Sequence, residues 1–471
     1  MQAWLRISLL LWVFGFFREF RPSEPFVTEY LSGHWHNITA EQVNKEIYPF
    51  GTYAVLVQVP IVFLITDILC YKPIIIVSVC AGIILFAILL WTDQIWELQV
   101  GQVFYGTFMA SEVAYYTYIY AKVDKERYQI VTGHTRSAIL CGRFLAGVLA
   151  QIFVSSDTVN YKGLHYFSFG SQIVSLFIAI LLPPVHKSLY FYTEDQEQPD
   201  LEPNNRETTK VAAVSLDSVQ TTDLSQNGCI TAAMKTVHSI DSLKKPRFSW
   251  RNAYQLILKH IVSAYTNRIV IRWSFWWALA TCGQVQIISY VQFLWKEIDA
   301  NNESFYNGAI EAIVTLLGAG SAMFAGIANT SQHIKWHMWI LTMCSLFMGA
   351  FIIISALTKT LWTAYIMYIL FGICYYFIIT TASAIIAENL SDDSFGLIFG
   401  INQLVALILQ VILTVVVVTD NGYGLKPRQQ FLIYGIYFIV LAVMYFVAVF
   451  MRILLQKLRC CYNYGSLDII S

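Results

Sequence analysis

Apolar residues along this chain gather in runs of about 20, broken by short polar stretches, and about 20 residues is what an α-helix needs to cross roughly 30 Å of hydrocarbon. The runs predict spans near 7–30, 47–69, 73–92, 96–121, 129–154 and 164–184, then 265–294, 305–327, 335–357, 361–387, 395–419 and 429–455. Two sets of six result. Between them, residues 185–262 are rich in Asp, Glu, Asn, Gln, Ser, Thr and Lys, too polar to bury a core, which predicts a largely disordered linker. Residues 248–262 within it carry an amphipathic helical pattern. The expected organisation is therefore a six-helix half over 1–184, a linker over 185–262, a second half over 263–456 and a tail over 457–471.

An even number of spans places both termini on one side of the membrane. Short loops on that side carry Lys72, Lys122, Lys125, Arg127, Arg452, Lys457 and Arg459, so the positive-inside rule puts the termini and the linker in the cytoplasm. Asn37-Ile38-Thr39 and Asn302-Glu303-Ser304 are glycosylation sequons on the opposite side, whereas those at Asn329 and Asn389 fall inside and are expected to stay silent. The first apolar run lacks a small-x-small cleavage site and leads into Arg21-Pro22-Ser23-Glu24-Pro25, so it is expected to be a retained span rather than a signal peptide. Six plus six helices joined by a long cytoplasmic linker is the layout of an all-α membrane protein of the major facilitator class, whose halves rock about a midplane site.

Composition agrees and excludes other classes. Of 471 residues 57% are hydrophobic and 13% charged, against about 25% charged in a soluble domain. Lys+Arg and Asp+Glu both number 30, leaving no basic excess to hold nucleic acid through its phosphates. The nine cysteines show no metal-ligand spacing and no pattern of paired outside residues, so neither a zinc nor a disulfide framework is expected. Cys460 and Cys461 follow the last span and read as reduced tail thiols, with palmitoylation the alternative. No Ser-His-Asp order, HExxH, Walker loop or GxGxxG stands in a suitable context, so an enzyme with a resident cofactor or metal is not expected.

An ionisable group in hydrocarbon costs several kcal/mol unless it faces a cavity or a partner. The candidates are Glu24 in span 1, Asp67 at the end of span 2, Glu112 in span 4, Arg136 and Arg143 in span 5, Arg272 in span 7 and Glu311 in span 8. Each has a plainer reading as half of a helix-to-helix ion pair. Glu112 stands out because Phe104, Phe108, Tyr115 and Tyr116 recur at helical spacing on its face. A carboxylate beside rings suits an organic cation through charge attraction and cation–π contact. Packed helices also use many aromatics, and the chain has 28 Tyr, so the acid is what favours the functional reading. Glu24 sits between Pro22 and Pro25, which should break span 1 there. Asp67, with Tyr71-Lys72-Pro73, looks like a loop charge that latches neighbouring helices and governs opening.

The segments Arg21-Pro22-Ser23-Glu24-Pro25-Phe26, Thr66-Asp67, Tyr71-Lys72-Pro73, Ser111-Glu112-Val113-Ala114-Tyr115-Tyr116, Trp276-Trp277-Ala278, Tyr306-Asn307-Gly308-Ala309, Glu311-Ala312 and Phe399-Gly400-Ile401-Asn402 resemble the reduced folate and thiamine carrier family. The resemblance covers all twelve spans. It implies a facilitator fold carrying a water-soluble vitamin across the plasma membrane, with pH dependence. A carboxylate in a low-dielectric cavity favours protonation and bound substrate opposes it, so proton exchange through Glu112 is expected. Thiamine carriers have Glu at the position of Glu112, where the folate carrier has Arg. The folate carrier also has Lys and Arg at the positions of Gln410 and Gly372, and Asp at that of Glu311. The resemblance therefore points to thiamine, with Glu24, Tyr48, Glu112, Tyr115, Ser289 and Glu311 as substrate contacts and Asp67 and Lys72 at the gate.

Three positions depart from that pattern. Gly51 stands where thiamine carriers have Trp, Ser289 where they have Asn, and Arg143 where they have Tyr. A cation at Arg143 repels a thiazolium unless Glu24 or Glu112 neutralises it, and it would attract a phosphate. Thiamine phosphate, pyridoxine and folate thus remain alternative cargoes, and a non-transporting sensor or a channel are alternative activities of the same fold.

Overall fold

The computed structural model describes residues 3–36, 38–112, 114–115, 118, 128–185, 192–193, 247–248, 250–299, 306–328, 337–390, 395–420 and 422–467. The chain divides into two units, Met1–His186 with Ile257–Ser471, and Lys187–Leu256. In the second unit, Tyr192 pairs antiparallel with Phe248 and Thr193 with Arg247. Most of the expected linker lies outside the described residues, as do Lys122, Lys125 and Arg127 and both outer sequon asparagines, Asn37 and Asn302.

Long helices occupy the predicted spans: Ala3–Glu19, Tyr48–Ile68, Lys72–Trp91, Ile95–Ala110, Tyr128–Ser155 and Tyr161–Leu181, then Arg268–Ile298, Asn307–Ala328, His337–Leu357, Leu361–Glu388, Phe395–Val417 and Pro427–Leu467. They keep the numbers 1 to 12 below. The amphipathic helix, Trp250–Thr266, precedes span 7. The last helix runs through Cys460 and Cys461, so the expected tail begins helically.

Among the described residues nine helices are long and apolar enough to cross a membrane. The remaining three are spans 1, 4 and 7, which carry or adjoin Glu24, Glu112 and Ser289. Span 1 stops at Glu19 after 17 residues, earlier than predicted, and the chain resumes as a 3-10 turn at Glu24–Phe26 and a short helix at Val27–Leu31. Backbone groups freed by such a break need partners inside the bilayer. Span 6 supplies them: Ser168 Oγ accepts from the Ser23 N–H at 3.1 Å, Ser171 Oγ donates to the Phe17 carbonyl at 2.6 Å, and Gln172 Nε2 donates to the Arg18 carbonyl at 3.0 Å. Span 4 stops at Ala110 after 16 residues. Its Phe108 carbonyl accepts instead from Arg18 at 2.9 Å and Ser78 at 3.2 Å.

The described hydrogen bonds and ion pairs joining spans 1–6 to spans 7–12 all lie at the ends of the spans away from the chain termini, called the far end below. Lys45 meets Asp420 at 2.8 Å, Gln292 Nε2 donates to the Glu24 carbonyl at 3.1 Å, and the Ala309 N–H donates to Gln151 Oε1 at 3.2 Å. Spans 5 and 8 touch there almost backbone to backbone: a Cβ on Gly147 would stand 2.6 Å from the Gly308 carbonyl oxygen, and one on Gly308 2.7 Å from that of Gly147.

Candidate substrate site

The two broken spans bring charge to the middle of the bundle. Glu19, at the last turn of span 1 and 2% exposed, accepts from Arg18 at 3.0 Å, from Arg21 at 2.9 Å and from Arg143 Nε of span 5 at 2.8 Å. Arg21 reaches on to Glu24 at 3.2 Å. Arg18 and Arg21 also lie over the Phe108 ring, 4.5 and 5.4 Å from its centroid, so Phe108 faces the protein's own cations.

Arg143 is thus neutralised first by Glu19, a residue absent from the sequence expectations, with Glu24 and Glu112 contributing at longer range. The rule that singles out intramembrane charges covers Arg18, Glu19 and Arg21 equally, and applying it to every charge of the first span would have found them. The Glu24 carboxyl is 51% exposed and Glu112 is half-buried just past the interruption of span 4. On the facing half, half-buried Glu311 accepts from Tyr368 OH at 2.9 Å and lies in the electrostatic reach of Glu24 and Arg143. Glu24, Glu112, Arg143 and Glu311 therefore share one electrostatic neighbourhood. With all acids ionised, four carboxylates (Glu19, Glu24, Glu112, Glu311) face three guanidiniums (Arg18, Arg21, Arg143), leaving one surplus negative charge.

The rings expected around this charge divide. Tyr48 is half-buried, 6.2 Å from Tyr290 and 5.2 Å from Phe293 between ring centroids. Its hydroxyl is 3.3 Å from Thr28 Oγ1. Tyr115, only 1% exposed, packs at 5.1 Å on Phe14 and donates to the Leu11 carbonyl at 2.7 Å. Tyr116 lies outside the described residues. Tyr105 and Tyr376, not singled out in the sequence, are half-buried and interact electrostatically with Arg143. Ser289 is half-buried and donates to the Val285 carbonyl at 2.8 Å.

Of the remaining expectations, Lys72 Nζ donates to the Ile180 carbonyl at 2.8 Å, tying span 3 to span 6 within one half. Asp67 belongs to span 2, and its side chain lies outside the described set. Arg136 is exposed and Arg272 half-buried. At Gly51 a Cβ would meet Gln102 Oε1 at 2.5 Å, and Tyr105 Cδ1 is 3.5 Å away. Gly372 is packed so that a Cβ would stand 2.8 Å from Val314 Cγ1, and Gln410 is 3% exposed.

Comparison with known proteins places this geometry. The family model described as reduced folate carrier matches residues 2–433. Thiamine transporter 1 of Mus musculus is 35% identical over 463 residues, covering 94% of this chain and 89% of that protein. Thiamine transporter 2 of Homo sapiens is 35% identical over 448 residues with the same coverages. The reduced folate transporter of Homo sapiens is 30% identical over 469 residues, covering 98% of this chain and 74% of that protein. Among solved structures, the POT family transporter PepTSo superposes with a TM-score of 0.64 at 11% identity, covering 96% of this chain and 99% of that one, which establishes the major facilitator fold.

Proposed function

This chain belongs to the reduced folate carrier family, and on that ground we propose that it imports thiamine across the plasma membrane by alternating access. It is a multi-pass membrane transporter, not an enzyme. The observation that carries the thiamine reading is the grouping of Glu24, Glu112 and Glu311 around Arg143 with Tyr48, Tyr105 and Tyr376 nearby, acids and rings together, which suits a flat aromatic cation. Glu112, Glu24 and Glu311 offset the thiazolium charge in this proposal. Tyr48 and Tyr105 offer faces for stacking, and Ser289 a hydroxyl. Tyr115 supports span 1 in the conformation seen, and its ring reaches substrate only when span 1 moves. Proton exchange through Glu112, and gating through Asp67 and Lys72, belong to the same proposal.

In this proposal the termini are cytoplasmic and the far-end contacts close the outer side, which corresponds to the inward-facing half of the cycle. The folate alternative loses ground at two positions. Gly372 has no room for an arginine as packed, and Gln410 is a buried amide, so neither supplies a cation for a dianionic vitamin. Thiamine phosphate is the second reading, favoured by the Arg143 side chain, which stays 38% exposed despite its bond to Glu19.

The test is competition against labelled thiamine in cells expressing the chain. Unlabelled thiamine is expected to compete best and thiamine phosphate more weakly, with pyridoxine and folate having little effect. Thiamine phosphate outcompeting thiamine would move the assignment to the second reading, and folate outcompeting both would refute it.

A further inference from the structure

One carboxyl takes no part in the cavity described above. Glu29 lies in the short helix Val27–Leu31, 6% exposed, with its carboxyl close to its own backbone N–H and to Asn307 but closing a well-formed hydrogen bond with neither. It stands where the two halves meet at the far end. The N–H of adjacent Thr28 donates to Gln292 Oε1 at 3.3 Å, and Lys296 Nζ donates to Ser32 Oγ at 2.5 Å, both across the boundary. Lys296 of span 7 and Asn307 of span 8 face Glu29 from the other half. Asn307 Oδ1 accepts from Tyr365 OH at 3.2 Å, which leaves its buried Nδ2 with Glu29 as its polar neighbour.

The other titratable groups around Glu29 are Tyr48 of span 2, Tyr161 of span 6 and Tyr365 of span 10. His36 and His165 pack on the ring of neighbouring Tyr30 at 4.9 and 4.1 Å, with Asp93 3.4 Å from His36. Lys162 of span 6 acts on His36 and Asp299 on Tyr365, while Lys296 is the cation that acts on Glu29 itself. A carboxylate buried with only such weak polar contacts and one nearby cation recovers little of the hydration it gives up, whereas the protonated acid loses much less. Separating the halves at this end carries Lys296, Gln292 and Asn307 away together and opens Glu29 to water.

We propose that Glu29 is a proton-binding site tied to closure of the far end: its carboxyl takes up a proton from solvent as the halves close over it and returns that proton as they part. A ligand held more tightly in one state draws the equilibrium toward that state, so acid on this side favours closure. The proton returns to the side it came from, so the site biases the resting conformation and does not drive uphill transport. This rests on alternating access in the proposed function and is independent of which vitamin is carried.

The test uses the full chain in nanodiscs without substrate, with nitroxide labels at Glu46→Cys and Tyr423→Cys, two exposed far-end positions on opposite halves, the native cysteines being replaced. The short interlabel distance should gain weight as pH falls from about 8 to about 5, and in a Glu29→Gln variant it should dominate throughout. Lys296→Gln removes the cation that favours the ionised carboxyl together with its bond to Ser32, so its closing transition should lie about one unit or more higher in pH than that of Ser32→Ala, which removes the bond alone. A Glu29→Gln variant following the unmodified curve, a Lys296→Gln transition no higher in pH than that of Ser32→Ala, or distances insensitive to pH in the otherwise unmodified chain would each overturn the proposal. Because no vitamin is present, failure here leaves the thiamine assignment standing, and failure of the competition assay leaves this one standing.

Discussion

On the proposed thiamine reading, replacing Glu112 by glutamine is expected to lower thiamine affinity by about 30-fold, the equivalent of losing about 2 kcal/mol of a charge-assisted contact. The size follows from the cavity's balance. With all acids ionised, losing Glu112 leaves three carboxylates to match Arg18, Arg21 and Arg143. A cationic substrate then meets a neutral site whose exposed cation, Arg143, repels it. Glutamine keeps the side chain's shape, so the loss is one of charge. Concentration-dependent uptake in cells, normalised to surface protein, measures it. Unchanged half-saturation and an unchanged pH profile would remove Glu112 from both substrate binding and proton exchange.

The largest expected effect on stability lies at Glu19. Three arginines converge on its 2%-exposed carboxylate at 2.8–3.0 Å. Neutralising it leaves buried guanidiniums without their counter-charge, which typically costs about 3–5 kcal/mol. Glu19→Gln is therefore expected to lower the melting temperature of the purified protein by several degrees and to reduce its surface yield. Adding Arg143→Gln should recover part of the loss, since residues in one network do not contribute additively. Glu24→Gln, at a carboxyl half open to solvent, should change melting little. A Glu19→Gln protein as stable as the unmodified chain would show that the cluster is not held together by that carboxylate.

How far the sequence disclosed this arrangement depends on the range of the physics involved. Span positions were legible because the bilayer forces a run of fixed length and an internally satisfied backbone, a constraint local to each segment. The break in span 1 was legible for the same reason, since Pro22 and Pro25 remove backbone donors in place. The interruption of span 4 was not: Met109-Ala110-Ser111 holds no helix breaker, and the groups that accompany it, Arg18 and Ser78 bonded to the Phe108 carbonyl, come from other helices.

Pairings between distant residues were equally hidden. Arg143 and Glu19 are 124 positions apart, and nothing in their local sequence couples them. Helical spacing placed Phe108 and Tyr115 on the Glu112 face, yet Phe108 serves two arginines and Tyr115 is buried on span 1. That reading assumed a continuous helix through Ser111, where the structure has a turn. Glu29 gives no local cue either, since its significance comes from Lys296 and Asn307 on the opposite half.

Accumulation of labelled thiamine in proteoliposomes holding only this protein tests most directly the claim that a negatively balanced cavity moves a cationic vitamin across the bilayer. Saturable uptake is predicted, stimulated by thiamine preloaded on the opposite side, weakened by Glu112→Gln and indifferent to excess folate. Thiamine binding without accumulation, or uptake abolished by folate, would contradict it.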